Sequence, residues 1–211
     1  MYPKPVQRLI DLLAELPGVG PRQAARMTFF VLRGSQDYAL ALAEAVSAAK
    51  KRIGFCKDCF RSMERDNDVT LCSFCGNERR DQRLVMVMEK EVDVANMEKT
   101  GAYQGLYHVL GGNISLLDPE SPKKLRLAEL YARIKLILEK AEEPAEVIIA
   151  TGQTSEGDST ALYLLQMLSP LKEDFPHLRL SRLGQGLSVG TEVEYADEVT
   201  LENALKHRFS A

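Results

Sequence analysis

The chain has 211 residues, 45% of them hydrophobic and 27% charged, with a formal net charge of −3; this is ordinary globular usage and excludes a disordered or fibrous chain. The length suits one large core with smaller appended modules, or two modest domains. No run approaches the roughly 20 apolar residues needed to cross a bilayer, and Met1-Tyr2-Pro3-Lys4 lacks the apolar stretch of a signal peptide, so a soluble cytoplasmic protein without membrane association is expected.

In chain order, Val6, Leu9, Ile10, Leu12, Leu13 and Leu16 recur at helical spacing, which predicts a helix over residues 4–15 that Pro17-Gly18 ends. Pro21 suits a first helical position, and Ala24, Ala25, Met27, Phe30 and Val31 carry an apolar face as far as Gly34. An Ala-rich helix follows over about 37–51. Residues 54–80 hold few large aliphatics and every cysteine, so that segment needs another source of stability than a core.

Beyond it, Leu84 to Met88 is an apolar run that reads as a strand ending at Glu89, and helical spacing resumes over 91–99. Residues 110–122, with Gly111-Gly112-Asn113 and two prolines, predict a long loop before a helix over about 123–141. A strand over 147–150, a polar loop over 151–159, a helix over 161–169 and strands over 178–183 and 198–201 complete the alternation. Strands alternating with helices indicate a parallel α/β sheet, whose ligands collect at the carboxyl ends of strands.

Charge is uneven along the chain. Residues 1–80 carry 13 Lys and Arg against 9 Asp and Glu, whereas residues 81–211 carry 14 against 21. The front part suits phosphates, and the rear suits basic proteins or a divalent cation.

Cys56-Lys57-Asp58-Cys59 and Cys72-Ser73-Phe74-Cys75 form two C-x2-C pairs separated by 12 residues. Each pair presents two thiolates on one tight turn, and together they complete the four-sulfur shell that zinc prefers. With all four ligands from protein there is no open position for an activated water, so the metal is read as structural, one per chain. A redox dithiol would need only one pair.

Between the first two helices stands Leu16-Pro17-Gly18-Val19-Gly20-Pro21-Arg22, the pattern of a helix-hairpin-helix. Gly18 and Gly20 permit a tight turn whose following N–H groups can hold a phosphate without reading bases. Arg22 and Arg26, four apart on one helical face, are the candidate DNA contacts. A plain helical hairpin with solvated arginines is the bland alternative.

An acidic set, Glu89 after one strand and Glu156-Gly157-Asp158 after the next, resembles the Toprim arrangement that holds Mg2+ in primases and topoisomerases. The alternative is simple helix capping, since Asp158 precedes an apolar helical run. The glycines at 184, 186 and 190 are not followed by Gly-Lys-Ser/Thr, so no ATPase loop is read there. His108, His177 and His207 are scattered and read as packing or surface residues.

The succession of LPGVGPRQAARM, the four-cysteine module, EKTGAYQGLYHVLGG, EGDSTALYL and EYADEVTLENAL resembles the RecR family of recombination mediators over essentially the whole chain. The resemblance implies a helix-hairpin-helix region over 1–53, a four-cysteine zinc finger over 54–80, a Toprim domain over 81–176 and a C-terminal segment over 177–211 concerned with assembly. It also implies a homotetrameric ring around double-stranded or gapped DNA, acting with RecO and RecF to help RecA displace single-strand-binding protein in DNA repair.

In that family the counterparts of Glu89, Glu156 and Asp158 look more like docking positions than a catalytic centre. Three positions depart from its usual pattern: Gly152-Gln153 stands where Asn-Pro is common, Ser155 where a hydrophobic residue is common, and Glu91 where Pro is common. Two rival functions remain open at this point. One is a Mg-dependent Toprim nuclease, primase or topoisomerase. The other is a zinc-stabilised interaction module without DNA affinity, which buried, ion-paired Arg22 and Arg26 would favour.

Overall fold

The computed structural model describes residues 2–66, 69–141 and 143–208. It divides the chain into two compact units, Met1–Ile53 and Gly54–Ala211.

The first unit contains α1 (Lys4–Ala14), α2 (Pro21–Arg33) and α3 (Gln36–Arg52). After α1 the chain turns through Gly18 at φ +79°, a left-handed conformation that glycine adopts without a Cβ clash. Pro21 then opens α2 with its φ already helical. Ser35 caps α3 by accepting a hydrogen bond from Tyr38 N–H at 3.2 Å. The interior is small, with Ile10, Ala24 and Thr28 buried, as expected of some 50 residues.

The second unit opens with a two-stranded ribbon, β1 (Ile53–Phe55) and β2 (Ser62–Glu64), beside the cysteines. A parallel four-stranded sheet follows, made of β3 (Asp81–Met88), β4 (Gly105–Val109), β5 (Ala145–Ala150) and β6 (Leu178–Arg182) in the order β4-β3-β5-β6. Helices α4 (Glu91–Lys99), α5 (Leu127–Lys140), α6 (Ser155–Leu168) and the short α7 (Leu171–Asp174) connect the strands. The unit closes with α8 (Glu198–Lys206).

Alternation along β3 explains why both faces of the sheet are apolar. Val85 and Val87 join Leu130, Ile134, Val147, Ile149 and Leu164 in one core, while Met86 and Met88 join Val94, Tyr107 and Val109 in the other. A parallel sheet is stable only with both faces covered, and β3 accordingly reads as an unbroken hydrophobic run. Register places Met88 beside Val109 on one side and Ala150 on the other, so the carboxyl ends of three strands finish level, and Glu89 emerges there.

Three expectations need correction. Residues 198–201 are not a strand: they open α8, where Asp197 accepts a hydrogen bond from Thr200 N–H at 2.9 Å. That N-cap, followed by Glu202, Ala204 and Lys206, outweighs the β-branched pair Val199-Thr200. The sheet instead takes β4, which has no continuous aliphatic run and whose strand character comes from burial of all five residues.

Helix α5 starts at Leu127, not 123, because a 3-10 turn over Ser121–Lys124 precedes it. Helix α6 starts at Ser155, six residues earlier than expected, because Thr154 caps it by accepting from Gly157 N–H at 3.1 Å. The sheet reaches residue 182 through β6.

Candidate metal centre and nucleic-acid interface

Each C-x2-C pair sits on a backbone turn closed by the carbonyl of its first cysteine. Phe60 N–H donates to Cys56 O and Gly76 N–H donates to Cys72 O, both at 3.0 Å. The first turn requires Phe60 at φ +61°, an unusual conformation for a side chain of that size. The four sulfurs all lie within 4.8 Å of one another, with Cys59 and Cys72 Sγ 3.4 Å apart, and none is in a disulfide. Sulfurs about 2.3 Å from a tetrahedral zinc lie about 3.8 Å apart, so the set fits that ion.

The electrostatics point the same way. Hydrogen bonds from Cys59, Cys72 and Cys75 favour a thiolate at Cys56, whereas the bond to Cys56 holds the Cys59 thiol well above its usual range. Four such sulfurs do not ionise together unless a cation is placed among them. The cysteines therefore form a cluster able to hold a metal ion, consistent with zinc, which would act there as a structural cross-link with all four positions filled.

The cysteine module is joined to the sheet through β4, an edge strand whose free side would otherwise be open to pairing. Val109 N–H donates to Cys59 O at 2.9 Å, and Arg133 of α5 donates to Tyr107 O at 2.6 Å. The guanidinium groups of Arg61 and Arg80 both stack on Phe74, at 4.2 and 4.6 Å from its ring centroid. Arg80 pairs with Glu98 at 2.6 Å, and Tyr107 Oη donates to the same carboxylate. The Arg80 guanidinium holds the Glu98 carboxyl below its ordinary pKa.

Glu91 accepts from Ser62 N–H and Oγ–H at 3.0 and 2.6 Å. The residue that departs from the family's usual proline thus adds another tie to the cysteine module. Sequence reasoning missed this network because its members are far apart in the chain; the only signal was the long match over Glu98–Gly112.

His108 is fully buried in β4, with Nε2 3.0 Å from Arg126 O and its ring against Phe60. Burial pushes its pKa down from 6.5 to about 4. The unfolded chain takes up the proton first, so the contribution to stability is complete above pH 6.5 and is lost as pH falls towards 4. Metal-saturated wild type should lose about 2 to 3 kcal/mol more than His108→Gln between about pH 7 and about pH 4.5. Parallel urea titrations measure the difference, and equal losses would rule out this titration.

The three acidic candidates do not form a common metal shell: among the described residues only the cysteines group in that way. Glu89 is buried and accepts a short hydrogen bond from Gly152 N–H. Asp158 pairs with Arg182 at 2.6 Å. Glu156 is exposed, and both it and Asp158 lie in the first turn of α6, not in a loop, where their charges complement the helix dipole.

Gly157 allows this approach, since a Cβ there would lie 2.1 Å from Gly152 O and 3.1 Å from Glu89 Oε1. Gly157→Ala should cost about 3 kcal/mol, or roughly 6–12 °C in Tm. Gly20→Ala, where a Cβ meets nothing within 4 Å and φ is −79°, should change it by no more than about 2 °C, since stiffening of the unfolded chain offsets the poorer N-cap. Thermal denaturation of both variants checks the contrast.

In the first unit, Gly18, Gly20, Arg22 and Arg26 are all exposed around the start of α2. Among the described residues neither arginine is in an ion pair, which removes the structural role that would have favoured an interaction module without DNA affinity. Both line one groove together with Phe29, Phe30 and Arg33. Pro21 has no N–H, so Arg22 and Gln23 carry the backbone donors left free at this helix start.

Comparison with known proteins accounts for nearly the whole chain. Residues 6–50 match the family description RecR, helix-hairpin-helix; residues 83–183 match Toprim domain; residues 186–208 match RecR, C-terminal. Recombination protein RecR of Carboxydothermus hydrogenoformans is 40% identical over 208 residues, covering 98% of this chain and 97% of its own. Those of Roseiflexus sp. and Herpetosiphon aurantiacus are 43% and 42% identical, covering 99% and 98% of this chain and 95% and 94% of theirs.

The chain belongs to the RecR family. Its RecR relatives carry the name of a recombination protein, not of an enzyme, and a Toprim domain is not by itself a sign of catalysis. No helix among the described residues is long and apolar enough to cross a membrane.

Proposed function

We propose that this protein is a non-catalytic DNA clamp of recombinational repair. It assembles as a homotetrameric ring on double-stranded or gapped DNA and acts with RecO and RecF to help load RecA at gaps covered by single-strand-binding protein, in the cytoplasm at the nucleoid. Family membership supports the role in recombinational repair. The observation that carries the DNA reading is the hairpin: Arg22 and Arg26 are exposed and, among the described residues, free of ion pairs, beside a backbone turn with open space around Gly18 and Gly20. Such a surface suits phosphates approached closely and without base readout.

In this proposal the cysteines hold one structural zinc per chain, while Glu89, Glu156 and Asp158 belong to a docking surface for protein partners. The three carboxylates do not group as a metal shell among the described residues, and Glu89 and Asp158 are engaged by a backbone N–H and by Arg182, which weighs against a Toprim enzyme.

Assembly has its own support. The first unit leaves Leu12, Phe30, Leu32, Leu40 and Val46 exposed, and the C-terminal segment leaves Leu187, Val189, Val193 and Tyr195 exposed. In a ring, neighbouring subunits would cover side chains of this kind. Ring closure would also let a few phosphate contacts per subunit act together, which reconciles DNA binding with a net negative chain. Light scattering with and without duplex DNA tests this: a tetramer mass is expected, and a monomer under both conditions would remove the clamp.

A further inference from the structure

We propose that Arg133 positions the metal-binding thiolates, acting from α5 as an outer partner of Cys75 and as the clasp between the cysteine module and the sheet. The inference rests on the reading of the four cysteines as a metal centre. Arg133 Nη2 donates to Cys75 Sγ at 3.5 Å, while Nη1 donates to Asp58 O at 2.9 Å and to Tyr107 O at 2.6 Å. One planar group therefore reaches a sulfur of the second C-x2-C pair, the backbone within the first pair and the edge strand β4. Among the described hydrogen bonds no other basic side chain donates to a cysteine sulfur.

The chemistry favours a guanidinium at this point. Four thiolates around a divalent ion leave an excess of two negative charges in a largely buried pocket, and Cys75 is the most exposed of the four sulfur-bearing residues. A fixed cation donating N–H to that sulfur offsets part of the excess and sets its direction. The two carbonyls hold the planar fork against the sulfur, so less side-chain freedom is lost per hydrogen bond than a flexible ammonium would lose. Lysine keeps the charge but cannot make all three contacts in one plane.

The test compares wild type, Arg133→Gln, Arg133→Lys and, as a control on the same helix, Lys135→Gln, whose side chain is exposed. Chelator competition reads the affinity for Zn2+, and Co2+ substitution reads the sulfur-to-metal charge-transfer bands. Arg133→Gln should bind metal roughly 10- to 100-fold more weakly and shift those bands, Arg133→Lys should fall between, and Lys135→Gln should match wild type.

Wild-type affinity and an unchanged cobalt spectrum in Arg133→Gln, with only Tm reduced, would make the residue a structural tether and overturn the proposal. If Arg133→Gln does not fold, Arg133→Lys decides alone: wild-type affinity and spectrum overturn the proposal, and weaker binding with shifted bands supports it. Absence of thiolate bands in cobalt-treated wild type would remove the metal reading itself, and this inference with it.

Discussion

Arg22→Ala combined with Arg26→Ala should reduce the affinity for duplex DNA more than roughly 100-fold at about 0.1 M salt while leaving the fold intact. Each phosphate contact contributes about 0.9 to the slope of log affinity against log salt, so two contacts in each of four subunits account for a slope of about 7 that the variant would lose. Both side chains are exposed and free of ion pairs among the described residues, so Tm should move by no more than about 2 °C. A control that removes the same charge at Lys135 and Lys140 of α5 separates local contact from net charge. Anisotropy titrations at several salt concentrations provide the measurement, and unchanged affinity in the arginine variant would discard the hairpin as the DNA surface.

Replacement of a cysteine ligand should have the largest effect on stability. Freshly purified protein should contain one zinc per chain by elemental analysis. Cys59→Ser, or removal of metal by a strong chelator, should lower Tm by roughly 10 °C or more. The module has little apolar core of its own: beside its cysteines only Met63, Leu71 and Phe74 join its hydrophobic cluster among the described residues, all partly buried. Since Cys59 O also receives Val109 N–H from β4, the loss should extend to the sheet edge, with faster amide exchange at Val109. Metal-free protein with wild-type Tm and exchange would show that the cysteines pack without an ion.

Much of the fold was legible because its signals are local. The spacing of Cys56, Cys59, Cys72 and Cys75 identified the cluster able to hold a metal ion, since two C-x2-C turns need nothing distant except each other. Helical periodicity and the Pro-Gly punctuation placed α1, α2 and α3 within a few residues. Aliphatic runs placed β3 and β5, because strands covered on both faces carry their burial in composition, and the alternating Leu178 and Leu180 placed the half-exposed edge strand β6. Strand β4 escaped because Gly105 and His108 interrupt its apolar pattern, and distant partners, among them Cys59, Arg133 and the neighbouring β3, make it a buried edge.

The candidate sites divide along the same line. Exposure of Arg22 and Arg26 followed from helical spacing. The acidic set did not behave as spacing suggested: Gly152 N–H and Arg182 reach Glu89 and Asp158 from 63 and 24 residues away, and α6 begins early enough to absorb Glu156.

What the sequence determined by itself, then, were features whose energetics act over a few residues: cysteine turns, a glycine hairpin, helix periodicity and hydrophobic strand runs. Tertiary structure alone decided which polar groups neutralise one another. Arg133 meets Cys75 across 58 residues and Asp58 across 75. Such pairings depend on where packing of the two cores brings the elements, and a hydrogen bond gains strength only once that packing has excluded water.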